Sequence, residues 1–316
     1  MSLSFSIFQE PWWLSAATAG QYKEVSVERG NRLVGRLPFV VTRRGPFLTV
    51  TMPTFTHLLG PAIDPGVGKY QSRLARRLSI TRELISLLPS CAFFKQAFDP
   101  SVVDGLGLAD GLAFQDCRFQ IFPQYTFEID CRTSLESLWN GMNTTVRQHI
   151  RRAEQIYHVT TVDDPIQFEQ FYQRNILHSK KQCRVVFETF PKLLAECKIR
   201  SAGEILCAST PNGKQGAMVF IVWGYGVMYY LMSTRAADIN DTSAVSLLIW
   251  SAIQRSHAMN LKLDLDGVYS SGSARFLSGF GGQAKIRMIA VRASPIYHLI
   301  RYTRRLILPD RSDSFT

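Results

Sequence analysis

The sequence lacks the cysteine spacing that metal-binding and disulfide-rich domains require. Its six cysteines are scattered at positions 91, 117, 131, 183, 197 and 207, and none forms a Cys-x-x-Cys pair. Structural zinc sites and small disulfide frameworks depend on short, regular cysteine spacings. Both classes are therefore excluded, no metal site is expected, and the cysteines are interpreted as reduced thiols of a cytoplasmic protein.

The sequence also lacks the pattern of a secretory signal or of a membrane-spanning helix. Residues 1–11 carry no basic stretch followed by an apolar one, so no secretory signal is expected. Residues 215–234 are uncharged over 20 positions, about the length that spans a bilayer. A Gly-Tyr-Gly turn at 224–226 divides them into two runs rich in β-branched and aromatic residues, which predicts a buried β-hairpin instead.

Acidic residues are outnumbered by basic ones, and the imbalance is uneven along the chain. The protein has 36 Lys and Arg against 25 Asp and Glu, a net charge of +11. Residues 1–150 hold 15 basic and 12 acidic side chains, so they carry +3 and the remainder carries +8. Residues 285–311 contain one acid, Asp310, among seven basic residues: Lys285, Arg287, Arg292, Arg301, Arg304, Arg305 and Arg311. This pattern predicts a phosphate-bearing partner or an anionic surface. The alternative is a solvated face that keeps the protein in solution.

The length and the apolar content indicate a folded protein of two domains. The chain has 316 residues, of which 46% are apolar, which excludes a disordered protein and a polytopic membrane protein. At about 100–200 residues per domain, two cores fit. The first part is predicted to contain a helix at 69–88 and strands at 22–27, 32–42, 47–52, 92–98 and 125–129. This order is typical of a mixed α/β domain.

A capping-box spacing at 133–136 predicts the start of a helix that ends near residue 156 and bridges the two domains. We therefore place the boundary at residue 150, which gives domains 1–150 and 151–316. The second domain is predicted to contain helices at 166–177, 190–197 and 243–259, with strands at 204–209, 217–223, 227–233 and 262–265.

Four segments resemble one superfamily in their order and spacing. They are a strand ending in Asp-Pro within 92–104, LWNGMNTTVRQHIRRA at 138–153, the strand, loop, helix and Asp-Leu-Asp-Gly of 229–267, and RFLSGFGG at 275–282. The superfamily joins two GNAT-like domains in one chain and includes the Fem peptidoglycan interpeptide-bridge aminoacyltransferases and related acetyltransferase-like proteins. The resemblance implies an α/β fold of two GNAT-like acyltransferase domains in tandem with a cleft between them.

The resemblance also implies an enzyme, a GNAT-like N-acyltransferase. It would move an acyl group from an acyl-CoA-type thioester to an amine of a sugar, a lipid precursor or a small metabolite by direct attack. Direct attack needs no covalent enzyme intermediate, so the lack of a G-x-S-x-G nucleophile motif is uninformative. Two alternatives stay open: an aminoacyl-tRNA-dependent aminoacyltransferase of Fem type, and a catalytically inactive GNAT-fold binding protein.

Three aspartates are candidate catalytic residues. Asp99 matches the aspartate of the superfamily's Asp-Pro motif, considered there as a base or a substrate contact; the alternative is an Asp-Pro turn at a strand end. Asp264 and Asp266 are two residues apart on a strand, so both are expected on one face, where like charges raise one pKa. The alternative for this pair is a structural network with Arg275 or Lys262.

The candidate substrate-binding residues are polar or cationic. His57 lies in a loop at 53–61 that resembles a turn of the superfamily. Arg147 and Arg151 lie near the end of the bridging helix, where cations also simply stabilise the helix dipole. The remaining candidates are Tyr230, Arg235, Arg275 and Lys285.

Two departures from the superfamily pattern bear on the substrates. Leu277 stands where the Fem pattern has a lysine that holds substrate phosphate, so another cation such as Arg275 or Lys285 must serve. The segment 235–243 stands in place of a glycine-rich phosphate loop, and Asp238 and Asp241 would repel phosphate. No tightly bound cofactor is expected; acyl-CoA or aminoacyl-tRNA would be a co-substrate. The basic C-terminal segment 296–308 is a candidate contact with an anionic membrane surface, and no DNA partner is expected.

Overall fold

A computed structural model describes residues 3–99, 105–178, 187–238, 242–268 and 270–300. Internal contacts divide the chain into two compact units. The first comprises Met1–Gln124 and the described residues from Ile286 onward, and the second comprises Tyr125–Lys285. The boundary that we predict at residue 150 falls within the second of these units.

The first unit is a sheet packed against helices. Its strands are β1 (Lys23–Arg29), β2 (Arg32–Arg44), β3 (Phe47–Thr51), β4 (Ala62–Ile63) and β5 (Phe93–Phe98), and its helices are α1 (Pro11–Ala17), α2 (Tyr70–Ser86) and α3 (Leu108–Asp116). Two further strands, β6 (Gln120–Asp130) and β12 (Gln283–Ala293), each contain a boundary between the units. The order β1-β2-β3-β5-β12 places β5 between a parallel neighbour and an antiparallel one, so its six residues are all buried.

Aromatic side chains form the centre of the first unit. Phe94 packs edge-on against Phe119 with 5.0 Å between ring centroids, and Phe98 stacks on Phe114 at 5.7 Å. Nearby, the buried guanidinium of Arg77 on α2 donates to both carboxylate oxygens of Asp110 on α3. A buried charge needs such a partner, so this pair fixes α3 against α2.

The second unit has the helix and strand order that the sequence predicts. Its elements are α4 (Leu135–Gly141), α5 (Thr144–Glu154), β7 (His158–Val162), α6 (Pro165–His178), α7 (Phe190–Ile199), β8 (Gly203–Ser209), β9 (Gln215–Gly224), β10 (Val227–Arg235), α8 (Ser243–Ala258), β11 (Lys262–Gly267) and α9 (Ser271–Ser278). The strand order is β6-β11-β10-β9-β8-β7. Only the β10–β11 pair is parallel among the described pairs of this unit.

The uncharged stretch at 215–234 is the predicted hairpin. Tyr225 and Gly226 both have positive φ angles, 56° and 79°, and these angles suit a two-residue turn between twisted strands. Among the described residues, no helix has the length and apolar character needed to cross a membrane.

The predicted bridging helix is two helices, and this expectation is corrected. The side chain of Ser134, rather than that of Thr133, caps α4 by accepting from the N–H of Ser137 at 3.2 Å. Asn143 then starts α5 by accepting from the N–H of Val146 at 2.8 Å. A side chain that binds the free N–H groups of a new first turn favours a break at that point. Both helices nevertheless bury the predicted apolar face, Leu138, Met142, Val146 and Ile150, in the core of the second unit.

Candidate functional site

Strands β10 and β11 pair over only three residues and then separate. Val227, Met228 and Tyr229 pair with Lys262, Leu263 and Asp264. Strand β10 continues to Arg235 alongside β9, whereas β11 continues beside β6, where Gly267 pairs with Thr126. Beyond Tyr229 and Asp264 the described strands are no longer paired with each other. Backbone polar groups along such an opening need partners, so the opening is a place where a ligand can form hydrogen bonds.

Both strands are irregular at the point where they separate. The register of β10 with β9 shifts between Tyr230 and Met232, and that of β11 with β6 shifts between Asp264 and Gly267. Asp266 has a φ angle of 67°, in the left-handed region that an L-residue adopts at a cost of about 1–3 kcal/mol. Bulges of this kind are common beside functional sites because they redirect side chains.

The carboxylate of Asp264 is buried and held in place. Its side chain is 3% exposed, and its Oδ1 accepts from the hydroxyl of Thr126 at 2.5 Å and from the N–H of Asp266 at 2.9 Å. The Thr126 hydroxyl also lies 2.7 Å from the backbone oxygen of Asp266. A carboxylate fixed in this way can accept a hydrogen bond, or a proton, from a group in the opening.

The relation expected between Asp264 and Asp266 depended on a regular strand. Because the bulge lies between them, simple alternation does not place both carboxylates on one face. Asp266 is half-buried, and its backbone contacts are what hold Asp264. Lys262, which we considered as a partner of these aspartates, forms an ion pair with Glu128 at 2.9 Å.

Glu128 binds two lysines beside this site. In addition to Lys262, its carboxylate contacts Lys285 at 2.6 Å. Glu128 is the register partner of Asp264 across β6 and β11, so the three charged groups lie next to the buried carboxylate. Lys285, a predicted substrate-binding residue, therefore lies beside Asp264 and carries an ion pair.

Tyr230 lies at the bulge of β10, on the core side of the sheet. Its side chain is 6% exposed, and no hydrogen bond of normal geometry reaches its hydroxyl from the described residues. Burial raises the pKa of Tyr230, and the nearby Ser233 hydroxyl offsets this only in part. A buried polar group without a partner is rare in proteins, so this neutral hydroxyl is available to a ligand in the opening.

The segment after β10 leads to the N-terminus of α8. The Thr242 hydroxyl lies 3.4 Å from Nδ1 of His149 on α5, and it makes no capping bond to the helix that follows. Part of the segment, including Asp241, lies outside the described residues. The N-terminus of α8, like that of any helix, carries free N–H groups and a partial positive charge.

A surface pocket of about 420 Å³ adjoins the start of this segment. Asn175 on α6 is buried at its wall and accepts from the N–H of Ala237 at 2.8 Å. Asp238 forms an ion pair with Lys214 at 2.7 Å, and this contact lowers the pKa of Asp238. The negative charge that we expected to repel phosphate is therefore paired with a cation. The other lining residues are Phe171, Arg174, Gly213, Gln215 and Ala236.

The remaining cationic candidates of the second unit lie on its helices and at a strand end. The guanidinium of Arg151 lies over the ring of Trp139 at 5.5 Å, and Arg147 is half-buried on the same helix. Arg235 is exposed at the end of β10, and Arg275 is half-buried in the last turn of α9. Their roles in substrate binding stay predictions.

Two candidates, Asp99 and His57, belong to the first unit. Asp99 is half-buried directly after β5, and Pro100–Asp104 lie outside the described residues. The ring of His57 stacks on Phe8 with 6.4 Å between centroids. A backbone hydrogen bond from Leu59 to Ala97, 2.8 Å long, connects the His57 loop to β5. Their predicted roles likewise stay predictions.

Leu277 is a core residue rather than part of an open binding site. It is 9% exposed and packs within the main hydrophobic cluster of the second unit. The superfamily's lysine position is thus occupied here by a side chain that stabilises α9 against the core. Within the described residues, no cluster of three or more His, Cys, Asp or Glu side chains is arranged to hold a metal ion.

The sequence analysis missed Thr126, Asn175 and His149. One signal for Thr126 was present: Thr126, Glu128 and Asp130 alternate along β6, so a polar face of that strand was readable. Asn175 and His149 are isolated polar residues on helices, and nothing in their local sequence indicates the backbone or hydroxyl that each contacts.

Comparison with known proteins defines the class. Residues 141–268 match the family model described as the acetyltransferase (GNAT) domain, a segment that contains β10, β11 and the opening between them. A comparison with curated protein sequences gives no match.

Solved structures with this fold cover nearly the whole chain. FemX superimposes with a TM-score of 0.66 at 12% sequence identity, over 93% of this chain and 94% of that one. The C-terminal domain (DUF2156) of a putative lysylphosphatidylglycerol synthetase from Agrobacterium fabrum gives 0.59 at 13% identity, over 96% and 94%. L-PGS from Bacillus licheniformis gives 0.56 at 12% identity, over 92% and 90%.

The protein is therefore a GNAT-type acyltransferase. The family match identifies the enzyme class, and the structural likeness, at identities this low, identifies the fold. The predicted fold class, α/β with GNAT-like domains in tandem, and the predicted resemblance to the Fem-type superfamily are both confirmed.

Proposed function

We propose that the protein transfers an acyl group from an acyl-CoA-type thioester to an amine by direct attack. The observation that carries this proposal is the opening between β10 and β11, with buried Asp264 on one side and the Tyr230 hydroxyl on the other. The amide-bearing arm of a thioester can pair with the backbone of β10 that β11 leaves open. The carbonyl carbon would then lie near the bulge.

The transfer itself requires two proton movements. The amine nitrogen attacks the thioester carbonyl, a C–N bond forms, and the amine loses a proton to Asp264, directly or through water. The C–S bond then breaks, and the leaving thiolate takes a proton, for which the neutral phenol of Tyr230 is the candidate donor. Thr126 acts as a positioning residue, because its hydroxyl fixes the carboxylate of Asp264.

Phosphate groups of the donor would lie near the N-terminus of α8. His149, Lys214 and the exposed Arg235 lie around the segment that precedes this helix. Cations and free N–H groups together favour an anion. Asp99, His57, Arg147, Arg151, Arg275 and Lys285 are proposed as contacts to the acceptor or the donor, and a sugar, a lipid precursor or a small metabolite as the class of acceptor.

A second candidate function is aminoacyl transfer from a charged tRNA. Two of the similar structures are named for lysylphosphatidylglycerol synthesis or abbreviated L-PGS, and residues 151–316 carry a net charge of +8. Both donors bear phosphates, so the cations near α8 fit either. A tRNA user would bind tRNA with a steep dependence on salt, whereas a thioester user would release free thiol.

The deciding experiment measures thiol release from a panel of acyl-CoA donors and amine acceptors, together with native mass spectrometry of the purified protein. We expect release that depends on both substrates and that falls by about 10²-fold or more in Asp264→Asn. The matched control is Asp130→Asn, which changes an exposed aspartate of the neighbouring strand. Co-purified tRNA without turnover of any thioester would favour the second function, and ligand binding without turnover of either donor would favour an inactive binding protein.

A further inference from the structure

A short helical segment at the end of the described chain presents an apolar stripe to solvent. Residues 295–300 are helical, and Tyr297 anchors them by packing against Phe93 and Phe47 at 5.4 and 5.3 Å between ring centroids. Other side chains of the same turn face outward: Ile296 is 65% exposed, Leu299 is 63% exposed and Ile300 is 40% exposed. Positions i, i+3 and i+4 share one side of a helix, so these three aliphatic groups form one surface.

Cations lie at the same corner of the first unit. Arg43 and Arg44 are exposed at the end of β2. Arg44 is the register partner of Phe47 on β3, and Phe47 is the residue that contacts Tyr297. The sequence directly after the stripe adds Arg301, Arg304 and Arg305; their structure lies outside the described residues, and only their charge enters here.

We propose that this surface, Ile296, Leu299 and Ile300 with Arg43 and Arg44, binds an anionic lipid bilayer. Exposed aliphatic groups enter the boundary between headgroups and acyl chains, and neighbouring cations bind the anionic headgroups. Nucleic acid fits less well, because it is bound by cations and aromatic faces and gains little from a row of aliphatic groups. This inference concerns where the protein binds and is independent of the proposed chemistry.

The test is sedimentation of the full chain with vesicles of phosphatidylcholine alone or mixed with phosphatidylglycerol. We expect binding to the mixed vesicles only, weakening as salt increases. Ile296→Asp with Leu299→Asp should lower partitioning by about tenfold or more, and Arg43→Gln with Arg44→Gln by about fivefold for each charge removed. The matched control is Ile199→Asp, since Ile199 at the end of α7 in the second unit is 75% exposed.

Thermal unfolding of each variant separates a lost surface from a lost fold. Equal binding to both kinds of vesicle, unchanged binding of the Ile296→Asp, Leu299→Asp variant, or equal loss in Ile199→Asp would overturn the proposal. Sedimentation velocity without vesicles covers the other occupant: a wild-type oligomer that this variant dissociates would show that the stripe joins copies of the chain instead. Thiol release with soluble substrates is measured separately, so failure here leaves the proposed activity untouched.

Discussion

The hydroxyl of Thr126 lies 2.5 Å from the carboxylate of Asp264, and both side chains are almost fully buried. The two residues are far apart in sequence and come from neighbouring antiparallel strands. Their contact places a fixed negative group at the point where β10 and β11 separate. It is therefore the first relationship to test by mutation.

Thr126→Val keeps the shape of the side chain and removes the hydrogen bond to Asp264. A hydrogen bond to a charged group contributes about 1.5–3 kcal/mol, so we expect a loss of stability in that range and a fall in kcat with little change in KM. Urea unfolding and steady-state kinetics measure the two effects. Thr161→Val is the control, because it removes a threonine–glutamate hydrogen bond at an exposed site. Wild-type kcat in Thr126→Val would show that Thr126 does not position the carboxylate.

Tyr230→Phe removes a hydroxyl that has no hydrogen-bond partner among the described residues. Because an unsatisfied buried polar group costs about 1–3 kcal/mol, the variant should be as stable as the wild type or more stable. The rate of acyl transfer should nevertheless fall if the phenol protonates the leaving thiolate. Unfolding by urea and the thiol-release rate are measured on the same preparation. A loss of stability together with full activity would contradict both expectations.

Leu277→Lys restores the lysine of the superfamily pattern but buries its charge in the core. Burial opposes the charged form of lysine, so we expect a loss of about 2–5 kcal/mol in the free energy of unfolding and no gain of activity. Leu277→Met, which conserves volume, should cost under about 1.5 kcal/mol. If Leu277→Lys were as stable as wild type and more active, α9 would have to present this position to the substrate.

Three cysteines should resist alkylation in the native protein. Burial raises the pKa of Cys131 and Cys197 to about 12 and that of Cys207 to about 11. Only the thiolate reacts, and at pH 8 its fraction would be roughly 10⁻³ to 10⁻⁴. Intact-mass measurement after iodoacetamide at pH 8 should therefore show at most three labels, and six after denaturation. More than three native labels would show that these thiols are accessible.

Periodic and turn-forming segments were predictable because their signals are local. The hairpin at 215–234 follows from two apolar runs about a glycine-containing turn, and the apolar face of α5 follows from the spacing of Val146 and Ile150. The break between α4 and α5 was missed, although Asn143 is a good cap, because the apolar spacing continues through it.

The candidate site was only partly predictable, because its geometry depends on contacts between distant strands. Asp264 was named from its place on a strand, but the positive φ angle of Asp266 and the bulge in β11 arise from pairing with β6. For the same reason the hydroxyl that binds Asp264 was not foreseen. Leu277 was read as a lost lysine, whereas its burial shows a packing role that sequence comparison with a motif does not reveal.

The first unit is discontinuous in sequence, and this affects the order of synthesis and folding. Strand β5 forms antiparallel hydrogen bonds with residues 288–293 of β12, and these residues follow the whole of Tyr125–Lys285 in the chain. Because a ribosome delivers residues from the N-terminus, the second unit has all of its strands before β5 receives its last neighbour. Until then one edge of β5 is open, so the nascent chain carries an exposed hydrophobic strand edge that later residues cover.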